Sequence, residues 1–316
     1  MTAVYRESNH PALYYQDMLG DARRMERYRQ AIEQVVQPGD IVADLGTGLG
    51  VLAIMAVQAG ARHVYAVDVR PQIIPITQRV LDANKLADRV TLIQADATEV
   101  QIPEPVDVIV NELIGDFGTD ENIYECVAAV VGSSLKHGGR VLPRRLSTHL
   151  VGVEYDDEFR GVFSENFFGM DLRAAVEEPF SSDVVMHSLR NRPRELTNIV
   201  AVEAIDFETE LPPRAYRYEI DLEVVRDGKL QGFAGFFDCE LADGVTLGNY
   251  PCYEGCHWVN WNWPVTPFVE VREGQLIRGE LITPEKTVAS CWKWDWTLLS
   301  PGEDPKSRDE ETKAAP

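Results

Sequence analysis

The stretch Asp44-Leu45-Gly46-Thr47-Gly48-Leu49-Gly50 restricts the possible folds of this chain more than any other. It follows the apolar run Ile41-Val42-Ala43 and leads into a second apolar segment, Val51 to Ala59, that closes at Gly60. The whole therefore reads as a buried strand, a tight turn and a buried helix. Glycines at 46, 48 and 50 let the backbone turn sharply and approach a ligand with no side chain in the way. The following helix offers free N–H groups to whatever lies before the turn. The spacing is G-x-G-x-G and not the dinucleotide pattern G-x-G-x-x-G, which disfavours an NAD-dependent oxidoreductase but keeps a nucleotide-like ligand.

The strand-and-helix rhythm then repeats, with strand Val64 to Val67, helix Gln72 to Asn84, strands Val90 to Ile93 and Val106 to Val110, helix Asn122 to Leu135 and strand Arg140 to Leu142. Such alternation predicts an α/β fold with a doubly wound, mostly parallel sheet and a ligand at the carboxyl ends of its strands. A charged helical pattern from Tyr14 to about Val36 precedes it and stops at Pro38-Gly39-Asp40. After Pro143 the pattern becomes strand-rich, as in Ser147 to Val153, Arg217 to Val225 and Gly232 to Cys239. The expected division is residues 1–143 for the N-terminal helix and α/β domain and 144–300 for an all-β domain. An aromatic, poorly periodic insertion spans 163–193, and the tail 301–316 is expected to be disordered because it lacks aromatic residues, Leu, Ile and Val.

The chain carries 51 acidic and 30 basic side chains, a formal net charge of −21, and such a field repels a phosphate backbone. Nucleic acid is therefore not an expected partner. The sequence contains no apolar run of about 18 residues, which excludes an apolar spanning helix and leaves no expected membrane partner. The five cysteines, an odd number spread along the chain, argue for reduced thiols and a cytoplasmic place.

Three strand ends carry candidate binding groups. Asp44 opens the glycine turn, Asp68 ends the next strand where a ribose would present paired hydroxyls, and Asp96-Ala97 ends the third where an adenine edge would lie. Taken singly, an aspartate after a strand is more often a helix cap, but the ordered set with Gly46, Gly48 and Gly50 reverses that reading. After the fourth strand comes an acidic loop, Asn111 to Glu121, with Glu112 and Glu121 nine positions apart. Cys252, Cys256 and His257 lack a second ligand pair, so no metal is expected.

With these motifs the chain resembles the protein arginine methyltransferases. The acidic loop is similar to that family's double-glutamate loop, Met18-Leu19-Gly20-Asp21 with Arg24 and Tyr28-Arg29 to its N-terminal helix, and Cys256-His257-Trp258 to its Thr-His-Trp loop. The resemblance implies a Rossmann-like domain binding S-adenosyl-L-methionine, followed by a β barrel with a dimerisation arm at 163–193, and hence a homodimer. It implies Met18 and Arg24 at the cofactor, and His257 paired with Asp21 to lock the helix or take a proton. Glu112, Glu121, His257 and Trp258 would face the substrate. The chemistry suits such a loop, because a guanidinium is planar, always protonated and a poor nucleophile until carboxylates orient it and draw off its charge.

The chain departs from the family in three places. Tyr5-Arg6-Glu7-Ser8-Asn9 stands where an aromatic signature is expected, Tyr15 where histidine is, and Cys256 where threonine is. These changes favour a small guanidine such as free L-arginine, as in a bacterial free-arginine branch, over an arginine side chain of a protein, and place Tyr15 at the acceptor wall, limiting transfer to one methyl group. A catalytically inactive dimeric scaffold is the reading from another class, and intact Glu112, Glu121 and glycine turn count against it.

Overall fold

The computed structural model describes residues 11–155, 168–172, 184–209, 211 and 213–301. A 3₁₀ turn, Pro11–Tyr15, leads into α1 (Gln16–Gly20), α2 (Ala22–Val35), β1 (Ile41–Leu45), α3 (Val51–Ala59), β2 (His63–Asp68), α4 (Ile74–Ala83), β3 (Val90–Gln94), β4 (Val106–Asn111), α5 (Ile123–Ser133) and β5 (Leu135–Leu142). The strands lie in the order β3-β2-β1-β4-β5, all parallel. Every residue of β1 is buried, as a central strand covered on both faces requires. From β1 the chain winds outward one way to β2 and β3 and then returns to lay β4 on the other side. That reversal opens a crevice at the carboxyl ends of β1 and β4.

Several boundaries shift by a few residues, and two of the differences have a clear local cause. The expected single helix from Tyr14 to Val36 is interrupted at Asp21, whose side chain accepts the Arg24 N–H at 2.9 Å and thereby caps α2. Strand β5 starts before Arg140, because Gly138 at φ +72° absorbs an irregularity in its pairing with β4 and keeps the preceding residues in the strand.

The second half contains β6 (Arg145–Glu154), β7 (Val185–His187), β8 (Arg194–Glu195), β9 (Val200–Asp206), β10 (Arg217–Glu223), β11 (Gly228–Ala242), β12 (Val245–Gly248), β13 (Asn260–Val271), β14 (Leu276–Ile282) and β15 (Lys293–Leu299). One antiparallel sheet runs β7-β13-β11-β6-β8, with β9 also on β6 and β12 on β11, and a second runs β10-β14-β15. Between them lies a core of Leu150, Ile220, Leu222, Phe233, Trp261, Trp263 and Trp292. The architecture is thus α/β, a parallel sheet domain followed by a separate antiparallel one. Within the stretch 163–193 expected as an arm, Val185–His187 is instead strand β7, paired with β13, while 163–167 and 173–183, all but the first residue of the tail at 301–316, and Tyr5 to Asn9 lie outside the described residues.

Candidate active site

The glycine turn is held open by its neighbours. Gly46, Gly48 and Gly50 have φ of +70°, +53° and +80°, a region where other residues are strained. A Cβ on Gly48 would lie 2.6 Å from the Tyr15 ring. Asp44 is fully buried and accepts hydrogen bonds from Thr47 Oγ1 at 2.6 Å and Ala53 N at 3.1 Å, so it braces the turn from behind. Burial raises its pKa to about 7 against the pull of those two bonds. Asp68 accepts Gly48 N and Arg70 N, each at 2.9 Å, and its other neighbour is the Arg70 guanidinium at 3.3 Å.

In front of the turn lies a cavity of about 520 Å³, within the range of about 300–1,000 Å³ usual for small-molecule sites. Gly46, Gly48, Asp68, Asp96 and Ala97 line it from the strand ends. Tyr15, Met18 and Arg24 cover it from the N-terminal helices, and Glu112 and Glu121 close the far side. Arg24 donates to Glu112 in a pair whose side chains are 9% and 8% exposed. Its Nε is buried with no hydrogen-bond partner among the described residues.

The acidic loop is a closed structure. Gly115 and Gly118 exchange two backbone hydrogen bonds of 3.0 Å, and a Cβ on Gly115 would strike the Asp120 carboxylate at 2.2 Å. Asp120 in turn accepts Phe117 N at 2.9 Å. Phe117 is fully buried away from the cavity, stacked on Trp261 at 5.2 Å and edge-on to Trp292 at 5.2 Å, so the loop is pinned into the core of the second domain. Crowding by protein raises the Glu121 pKa to about 8, and repulsion from Asp120, Glu112 and Asp116 adds to that against the pull of Arg24. Its side chain nonetheless remains open to solvent in the cavity, which screens part of this effect.

Asp21, His257 and Trp258 are brought together, but away from the cavity. Asp21 is fully buried and its Oδ2 accepts from Tyr253 OH at 2.7 Å, His257 Nδ1 at 3.1 Å and His257 N at 3.3 Å. Burial pushes the Asp21 carboxyl up, but these donors and Arg24 N together hold it below the usual carboxylate range. Trp258 donates Nε1 to the Ile114 carbonyl at 2.8 Å, and Val259 N reaches Asp116 at 2.9 Å. The two contacts tie the loop to the acidic segment, while His257 ties it to the cap of α2.

Several expected assignments change. Tyr15 does not stand at an acceptor wall: it packs on Gly48 and its hydroxyl accepts from Arg70, at the Asp68 end of the cavity. The expectation that it limits transfer to one methyl group loses its geometric premise. Trp258 is 3% exposed and, like His257 and Asp21, does not line the cavity; its Nε1 bond to Ile114 buttresses the acidic loop. Asp44 and Gly50 also lie behind the turn. Residues overlooked in the sequence are Thr47, Arg70, Asn122, Glu125 and Cys126, all at the cavity. Thr47, inside the glycine turn, Arg70, two positions after Asp68, and Asn122, next to Glu121, carry a local signal; Glu125 and Cys126 need the fold to reach the cavity.

The comparisons with known proteins agree with this arrangement. Residues 29–130 match the family model described as ribosomal protein L11 methyltransferase (PrmA). This chain is an S-adenosylmethionine-dependent methyltransferase. The Dictyostelium discoideum protein arginine N-methyltransferase 1 is 29% identical over 280 residues, covering 84% of this chain and 80% of that protein. A probable histone-arginine methyltransferase of Oryza sativa is 30% identical over 291 residues, covering 85% of this chain and 54% of that protein. Among solved structures, the Trypanosoma brucei PRMT1 enzyme-prozyme heterotetrameric complex with AdoHcy shares the fold with a TM-score of 0.69 at 20% identity, over 90% of this chain and 98% of that one. Arabidopsis thaliana protein arginine methyltransferase 10 gives a TM-score of 0.71 at 22% identity, over 91% of this methyltransferase and 97% of that chain.

Proposed function

We propose that this methyltransferase acts on the guanidinium nitrogens of arginine side chains in proteins. The observation that carries the reading is the convergence of Glu112 and Glu121 on the cavity that the glycine turn also lines. The relatives described above are named for protein or histone arginine, and this favours a protein substrate over the free L-arginine suggested by the departures in sequence. The cavity's features suit the cofactor. Gly46 and Gly48 line it where a Cβ would strike Leu113 and Tyr15, Arg24 Nε has no hydrogen-bond partner among the described residues, and carboxylates of Asp68, Asp96, Glu112 and Glu121 suit a sulfonium cation. Met18, Arg24, Gly46, Gly48, Asp68, Asp96 and Ala97 would hold it, with Asp44 and Gly50 shaping the turn behind.

Bound there, S-adenosyl-L-methionine supplies an electrophilic methyl group. Glu112 and Glu121 grip the planar guanidinium by charge-assisted hydrogen bonds, turn one terminal nitrogen toward that methyl, and localise positive charge on the nitrogens that do not attack. Glu121, with its raised pKa, is the better holder of the proton that the methylated nitrogen releases. The Asp21–His257 pair keeps α2 closed over the site and takes no direct part. Reduced thiols support a cytoplasmic place, and a homodimer through the insertion at 163–193 completes the proposal.

Mass spectrometry after incubation with cofactor and either an arginine-rich peptide or free L-arginine tests the reading. Methylated peptide supports it. Methylation of free arginine alone restores the small-guanidine alternative, and neither product in a protein that binds cofactor leaves the inactive scaffold.

A further inference from the structure

Behind the acidic loop, on the side of the second domain, a group of charges meets out of solvent. Glu203 Oε1 accepts from Tyr218 OH at 2.6 Å, Lys286 Nζ at 2.8 Å and Arg214 at 3.1 Å, and its Oε2 accepts from the Thr119 hydroxyl. The side chains of Glu203, Arg214 and Lys286 are 9%, 9% and 3% exposed. Lys286 also lies over the rings of Tyr218 and Trp292, at 4.9 and 5.4 Å. Apolar residues of similar volume usually serve stability as well as a buried ionic cluster or better. A cluster kept here is better explained by what it holds in place.

Arg214 shows what that is. It reaches a different element with each nitrogen: Nε bonds Glu125 on α5 at 2.8 Å, one terminal nitrogen bonds Glu203 on β9 at 3.1 Å, and the other bonds the Thr119 carbonyl at 3.1 Å. Thr119 and Glu125 flank Glu121, one on the loop before it and one on the helix after it. The backbone of β9 is shaped for this contact. Thr148 pairs with Glu203 but His149 pairs with Ala201, so Val202 is an extra residue, and such a bulge re-aims the side chains beside it.

We propose that Arg214, seated on Glu203 and Lys286, is a positioning residue that holds the chain on both sides of Glu121 and so sets where the Glu121 carboxylate points. The inference rests on the role proposed for Glu121. A lysine at this position keeps the charge but lacks the planar fork that reaches three acceptors at once.

The test uses the full chain with Arg214→Lys and Arg214→Met, each also combined with Glu121→Gln. Hydrogen exchange is read over residues 115–125 with S-adenosylhomocysteine bound. Faster exchange there is expected in both variants. On an arginine-rich peptide, kcat should fall about ten- to a hundredfold, the scale of a displacement near 1 Å. In the Glu121→Gln background the same change should cost almost nothing further, because the residue being positioned is already disabled. Unchanged exchange in both variants overturns the proposal, as does an equal loss of kcat with and without Glu121→Gln. Arg214→Lys keeps the question open to measurement if Arg214→Met does not fold. A wild-type protein that leaves the peptide unmethylated refutes the proposed substrate, while the exchange measurement still decides the positioning role.

Discussion

Replacing Glu121 with glutamine separates the titration of the proposed clamp from its shape. With a pKa of about 8 in the free protein, Glu121 is ionised at pH 7 in only about 1 part in 11, from 1/(1 + 10^(8−7)). A guanidinium stays protonated throughout the accessible range, so it contributes no titration of its own. The wild-type kcat/KM is therefore expected to rise with pH below about 8, by up to about tenfold per unit, and to level above it. Solvent in the open cavity makes tenfold a ceiling. Binding the cation lowers the Glu121 pKa, so the corresponding limb in kcat should lie at lower pH. In Glu121→Gln the limb should vanish and turnover should fall about 100-fold or more, the usual loss for one charged group aimed at the reacting centre. Initial rates by mass spectrometry from pH 6 to 9 read both. A limb that survives unchanged in Glu121→Gln assigns the titration to another group and refutes the reasoning.

Three further outcomes are expected. Asp21→Ala leaves Tyr253 OH, Arg24 N and the His257 donors without their acceptor and uncaps α2, so stability should drop by about 3 kcal/mol in urea unfolding; an unchanged midpoint would show that water replaces the carboxylate. Gly48→Ala forces a Cβ to 2.6 Å from the Tyr15 ring in a backbone conformation of positive φ, and calorimetry should find cofactor affinity reduced about tenfold or more. Burial raises Asp44, Asp116 and Asp120 to about 7, 6 and 7, and crowding by protein raises the solvent-open Glu121 to about 8, so between about pH 4 and pH 8 the folded chain retains protons that the unfolded chain has released. The thermal midpoint of the ligand-free protein should accordingly fall as pH rises through that window, and a midpoint that climbs instead would contradict the buried acidic loop.

From the amino-acid sequence alone, alternating apolar segments and G-x-G-x-G spacing determined a parallel sheet with its cavity at the strand ends, because strand, turn and helix signals are local and each is carried by neighbouring residues. The candidate carboxylates at 68, 96 and 112 were legible for the same reason, each standing at or just after a strand end, whereas Glu121, ten positions past the end of β4, was legible only through the loop it shares with Glu112. The helix break at Asp21 was less so, since its cap is local but the donors that hold its carboxylate come from Tyr253 and His257, more than 230 positions away. Which side of the cavity each residue faces was decided only by the tertiary structure. Tyr15 could be aligned with Met18 in one dimension, but it is the packing of the N-terminal turn on Gly48 that carries it to the Asp68 end. Likewise, nothing near Arg214 in the chain announces Glu125, Thr119 or Glu203, since their contact depends on a bulge in β9 and on the docking of one domain against the other. Local periodicity selects the elements; the long-range burial of charge and of Phe117 decides how the acidic loop is held.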